Sequence, residues 1–156
     1  MKELPNRKKI RIDNYDYSSV GAYFVTICTE NRQKTLWNTV GADIIRPDCP
    51  PLSNEGKIVE EAILQIPGHY ENVRVDKYCI MPDHVHLLLS FDAGGRMISA
   101  PTLSNVVGSM KRWVSKQIGR PIWQKSFYEH SVRNQADYDE IWAYIENNPL
   151  KYSLQD

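Results

Sequence analysis

The chain has 156 residues, of which 42% are hydrophobic and 24% charged, enough for one domain with a sizeable core. No run reaches the ~20 apolar residues of a membrane span, and the polar start "MKELPNRKKIRIDNYDYSSVG" has no apolar core of a signal peptide, so a cytoplasmic protein with no membrane partner is expected. The formal net charge of zero conceals two basic segments, 1–12 and 101–133, and an acidic tail from 134, so a polyanion partner is not excluded.

In chain order, residues 1–18 form a basic polar arm ahead of a single domain. "GAYFVTICTEN" (21–31) alternates β-branched and aromatic residues and predicts a strand. Residues 38–54, with three prolines and a glycine, predict a loop with a short extended piece at Asp43–Arg46. "LSNEGKIVEEAILQI" places Ile58, Val59, Ala62, Ile63 and Ile66 at helical spacing, with Ser53 or Asn54 as cap and Pro67-Gly68 as stop. "VRVDKYCIM" (73–81) and "HVHLLLSF" (84–91) predict a hairpin turned at Pro82-Asp83, and "AGGRMI" (93–98) a flexible loop. Residues 102–119 fit an amphipathic helix with Leu103, Val106, Val107, Met110, Val114 and Ile118 inward and Lys111, Arg112 and Lys116 outward. "FYEHSVR" (127–133) is a short strand, and 137–149 a last helix expected to stop at Pro149. Strand, helix, strand, strand, helix, strand, helix predicts an α+β fold: one antiparallel sheet of ferredoxin-like character with helices packed on it. Cys28, Cys49 and Cys79 are an odd set without CxxC spacing, which points to a reducing compartment rather than disulfides or a thiolate metal site.

The stretch richest in chemistry is "IMPDHVHLLLSF" (80–91). Side chains at i and i+2 of a strand share a face, with Cα atoms roughly 6.5–7 Å apart, so His84 and His86 can converge on one metal ion. The bland alternative is two half-buried histidines with ordinary hydrogen bonds. A histidine-triad nucleotide hydrolase would need a third alternate histidine, but position 88 is Leu; an HExxH zinc motif is also absent. In the last helix Glu140, Tyr144 and Asn148 fall at i, i+4 and i+8 and line one face, with Ile141 and Ile145 beside them for packing.

The combination of "MPDHVHLLL", the basic helix, "WQKSFYEHSVRN" and "YIENNPLKY" resembles the single-tyrosine HUH transposases, the IS200-like enzymes and REP-associated tyrosine transposases, over about Tyr23 to Tyr152. Val85 stands at the hydrophobic "U". The resemblance implies a ferredoxin-like or RRM-like palm with HUH on a central strand. It implies His84 and His86 as metal ligands, Tyr144 as the nucleophile and Asn148 as third ligand, with Asn147 its alternative; related enzymes use Gln there. It further implies cleavage and strand transfer of single-stranded DNA at a hairpin or palindrome through a 5′-phosphotyrosine, by a monomer or a homodimer.

Neutral nitrogen and amide ligands suit Mg²⁺ or Mn²⁺, with histidine tilting affinity toward Mn²⁺. A tyrosine of ordinary pKa ~10 needs help from a metal or base, for which Glu140, Glu129 and His130 are candidates. Lys111, Arg112, Lys116, Arg120 and Arg133 are candidate DNA-phosphate contacts, Trp113 and Trp123 candidate stacking residues, and 7–11 an arm able to track a hairpin stem. Two other classes remain open at this point: a non-catalytic RRM-like nucleic-acid-binding module, and a metal-dependent nuclease that uses water.

Overall fold

The structure is a computed structural model that describes residues 21–38, 52–92 and 102–155; the arm (1–18 with 7–11), the extended piece at Asp43–Arg46, the 93–98 loop and Cys49 lie outside the described residues. Among the described residues, four strands and three long helices follow the expected order. They are β1 (Gly21–Cys28), α1 (Asn54–His69), β2 (Val73–Ile80), β3 (His84–Phe91), α2 (Leu103–Ile118), β4 (Tyr128–Ser131) and α3 (Gln135–Gln155). The strands form one antiparallel sheet in the order β2-β3-β1-β4, the split βαβ arrangement of a ferredoxin-like fold, with β3 and β1 central.

Alternation along β3 divides the molecule into two layers. Val85, Leu87, Leu89 and Phe91 face α1 and α2, and with Val25, Ile27, Val59, Ile63, Val107 and Val114 they make the larger core. The other face carries His84, His86, Leu88 and Ser90, and α3 closes over it. Leu88, Cys79, Met81, Trp37, Ile141 and Ile145 pack there as a second, smaller core. Trp37 was not singled out in the sequence; it donates Nε1–H to the Ile80 carbonyl at 2.7 Å and fills this layer. The face that holds the histidines is therefore partly dry, which sets their chemistry.

Helix ends follow from local chemistry. The Ser53 hydroxyl accepts from the Gly56 amide, and a Cβ at Gly56 would lie 2.2 Å from the Leu36 carbonyl oxygen, so only glycine lets this loop and α1 approach. Thr102 caps α2 at its start; Gly119, with φ of 96°, ends it in a left-handed conformation. The expected proline stops are not where helices end. α1 runs through Pro67 to His69, and α3 runs through Pro149 to Gln155. A proline withdraws one N–H from the carbonyl four residues back, and near a helix end that single loss does not break the turn. β1 ends earlier than expected, because Glu30–Arg32 forms a 3-10 turn.

Candidate active site

His86 lies opposite Thr26 of β1 in the ladder, and its Nδ1 is 3.0 Å from the Thr26 hydroxyl. Its Nε2 is buried and has no partner. Burial above all, helped by His84 and Arg32, pushes the His86 pKa down to about 3. The ring is thus neutral near pH 7, and with Nδ1–H donated to Thr26 the Nε2 lone pair is the one left open. Buried polar atoms are rarely left without partners, so the open Nε2 beside a second histidine is a lone pair chemically fit to coordinate a cation.

His84 sits at the mouth of the β2–β3 hairpin, its ring centroid 4.7 Å from that of His86. Its Nδ1 is 2.7 Å from Asp83 Oδ1. Burial lowers the His84 pKa despite that carboxylate, so the ring is a neutral donor through Nδ1–H and keeps Nε2 as the acceptor. This is the carboxylate–histidine arrangement that fixes tautomer and ring angle in metal sites. Burial alone would raise the Asp83 pKa, but hydrogen bonds from His84 and Arg32 outweigh it and keep the carboxyl ionised. The Arg32 guanidinium also comes within 3.5 Å of His84 Nδ1. That nitrogen is already committed to Asp83, so the operative Arg32 bond is Nε–H to Asp83 Oδ2 at 3.2 Å. Asn31 and Arg32 both take left-handed φ angles, 57° and 52°, which carries Arg32 back over the hairpin.

α3 brings the tyrosine to this pair. Ile141 and Ile145 are buried against the sheet while Tyr144, on the next face, stays 46% exposed. Its ring lies 5.4 Å from His86 and 6.0 Å from Phe24, both edge-on, and Phe24 in turn stacks on His86 at 5.2 Å. Asn148, one helical turn further, has a buried Nδ2 without a partner. A half-turn of the carboxamide exchanges Nδ2 and Oδ1, so this orphaned position can equally hold an oxygen donor. Among the described residues no three His, Cys, Asp or Glu side chains form a metal cage. The Asn148 amide is a further candidate donor, of a type outside that set.

The helix is anchored from β2. A bulge between Val75 and Lys77 turns both Asp76 and Lys77 toward α3. Asp76 Oδ2 accepts from Ser90 at 2.5 Å and from the Tyr138 hydroxyl at 2.6 Å. The Lys77 ammonium lies 5.0 Å over the Trp142 ring and 4.0 Å from Glu146. At the start of α3, Asn134 Oδ1 accepts from the Asp137 amide, and Asp137 accepts from His130 Nε2 and the Arg133 amide. His130 is thereby engaged away from the tyrosine, while Glu129 and Glu140 line a hollow beside it.

The basic residues of α2 are placed elsewhere. α2 lies on the opposite face of the sheet from the histidines. Lys111 donates to the Gln124 and Ser126 carbonyls at 2.9 and 3.2 Å, and burial lowers its pKa. Arg112 reaches Ser109, and Arg120 lies 3.8 Å from Glu55. Arg133, two residues before α3, is a basic candidate on the histidine side, lining a hollow with Phe24 and Thr26. Trp123 is buried in the larger core and Trp113 packs against it. Thr26, Arg32 and Asp83 were not singled out in the sequence. Asp83 could have been, as a carboxylate directly before the first histidine; the other two depend on strand register and a turn.

Comparison with known proteins identifies the family and the fold. The family model "Transposase IS200 like" matches residues 17–148. The chain is 28% identical to an uncharacterised protein of Haemophilus influenzae, covering 94% of this chain and 90% of that one. It is 23% identical to the REP-associated tyrosine transposase of Escherichia coli, covering 87% and 70%. A solved REP-associated tyrosine transposase bound to a REP hairpin superposes with a TM-score of 0.66, at 23% identity over 88% of this chain and 72% of that one, and so shares its fold. With the match spanning most of its length, this chain belongs to the family of IS200-like transposases.

Proposed function

We propose that the protein cleaves single-stranded DNA next to a hairpin or palindrome and rejoins it, with Tyr144 as nucleophile. The Tyr144 oxygen attacks the scissile phosphorus, an O–P bond forms to the tyrosine, and the bond from phosphorus to the 3′ oxygen breaks. The departing 3′-hydroxyl takes up a proton. Reversal by another 3′-hydroxyl transfers the strand, so the phosphodiester's energy is kept through two displacements. His84, His86 and Asn148 are the residues that would hold a divalent ion, Mg²⁺ or Mn²⁺, which when bound polarises a non-bridging phosphate oxygen. Asp83 and Thr26 hold the two imidazoles in the tautomer that leaves Nε2 open, and Phe24 covers one side of the His86 ring. Arg133 lies on the same face to meet a backbone phosphate, with Arg112, Lys116 and Arg120 proposed to hold more distant DNA.

The observation that carries this reading is the partnerless, buried Nε2 of His86, on a ring whose centroid lies 5.4 Å from that of Tyr144. A hairpin oligonucleotide labelled at its 3′ end, incubated with Mn²⁺ and run on a denaturing gel, tests it. The 3′ label is expected to shift to a protein-linked band, and a 5′ label to leave as a shorter strand ending in a 3′-hydroxyl. Cleavage without a linked band would favour a water-using nuclease. Binding without cleavage would favour a non-catalytic module. The hairpin in the superposed relative makes a hairpin the first substrate to try.

A further inference from the structure

Beside the tyrosine, between β4 and the first turns of α3, lies a hollow of ≈ 340 Å³ that the chemistry above leaves unused. Its lining includes Phe24, the buried Ile141 and the exposed Tyr128, with Glu129, Glu140 and Arg133. Phe24 and Thr26 stand between it and the histidine pair. Phe24 stacks on His86, and Thr26, which holds His86, pairs in the ladder with Tyr128. From His86 across Thr26 to Tyr128 is two strand spacings, roughly 10 Å.

We propose that this hollow is a subsite for one unpaired nucleobase flanking the phosphate presented to Tyr144, and that it takes a base with an exocyclic amino group in preference to thymine. For its ligand the assignment rests on the single-stranded DNA reading. Size sets the first limit: the volume is at the lower end of small-molecule sites, roughly 300–1,000 Å³, and admits a base but not a duplex. The walls supply the second. Tyr128, 46% exposed on a strand, and Phe24 are aromatic surfaces suited to stacking, which any base can use. Charge decides orientation. Glu140 repels phosphate but accepts N–H donors, and carboxylates pair with base amino groups. Asp137, which also lines the hollow, is already engaged by His130 and the Arg133 amide. The Arg133 side chain is 72% exposed; its Nε lies 3.5 Å from Asp137 Oδ2, and its two outer nitrogens are left to meet the strand's backbone. The base edge therefore goes in and the phosphate stays out, toward Arg133 and Tyr144.

The full-length protein, titrated with dAMP, dCMP, dGMP and dTMP and followed by nuclear magnetic resonance, tests this without any cleavage. Saturable shifts are expected at Thr26, Tyr128 and Ile141, with dTMP binding at least threefold more weakly than dCMP. Tyr128→Ala, at an exposed position, is expected to weaken dCMP at least about fivefold, the lower end of base–aromatic stacking. Glu140→Gln is expected to narrow the gap between dCMP and dTMP. No saturable shift at these residues, unchanged dCMP binding in Tyr128→Ala, or dTMP binding as tightly as dCMP would overturn the proposal. Phosphotyrosine formation without mononucleotide binding removes the subsite and leaves the cleavage reading intact. Mononucleotide binding without cleavage sustains the subsite and removes the other.

Discussion

At the scale of single residues, the site depends on two imidazoles being kept neutral and correctly turned. His86 has a folded pKa pushed down to about 3 against an ordinary 6.5, burial being the main cause. A folded value below the unfolded one means stability that is complete above about pH 6.5 and falls as pH drops toward 3, because only the unfolded chain takes the proton. The loss should reach on the order of a few kcal/mol. Metal-free wild-type protein is therefore expected to lose more melting temperature between pH 7 and 4.5 than His86→Gln, measured side by side with a chelator present. Asp83 acts one bond further out. Its replacement by Asn keeps the shape but weakens the hold on His84 Nδ1–H, and Mn²⁺ affinity by calorimetry is expected to fall about 10- to 100-fold.

At the scale of elements, the placement of Tyr144 is a matter of how α3 docks. The β2 bulge supplies Asp76 and Lys77 to the same helix, and Tyr138 reaches Asp76 at 2.6 Å. Burial, then that hydrogen bond, raises the Tyr138 pKa to about 12, so the phenol stays a donor at any physiological pH. Tyr138→Phe leaves Asp76 short of a donor and is expected to cost about 1–3 kcal/mol. Faster hydrogen exchange along 138–146 than in β3 would show that the loss is local to α3. Leu88, wholly buried between the sheet and α3, should cost about 2–5 kcal/mol as Ala.

Most of these elements were legible in the sequence because their periods are strong. "HVHLLLSF" alternates cleanly in its first half, and residues 102–119 repeat every three to four. Proline misled at both helix ends, since it removes one hydrogen bond and not the helix. The bulge at Asp76 was not legible, because "VRVDKYCI" reads as plain alternation. The histidines and tyrosine were visible as a motif, and Asp83 stood next to the pair. Thr26 and the hollow beyond Phe24 exist only once β1 lies between β3 and β4.

At the scale of the whole molecule, the sheet separates two jobs. α1 and α2 build the larger core on one face, and α3 with the histidine pair occupies the other. Lys111 belongs to the first: with its ammonium on two carbonyls, Lys111→Met is expected to lower the melting temperature. Arg112 and Lys116 are the outward cations of α2. If they meet phosphates as proposed, replacing both by Gln reduces the salt-dependence slope of hairpin binding by about 2, one per lost contact.

The most direct measurement locates the covalent bond. Protein incubated with Mn²⁺ and a hairpin oligonucleotide, digested with protease and nuclease, can be weighed peptide by peptide. The account expects a nucleotide-phosphate adduct on the peptide carrying Tyr144, absent in Tyr144→Phe and absent with chelator. An adduct on any other residue, or one that persists in Tyr144→Phe, would contradict it.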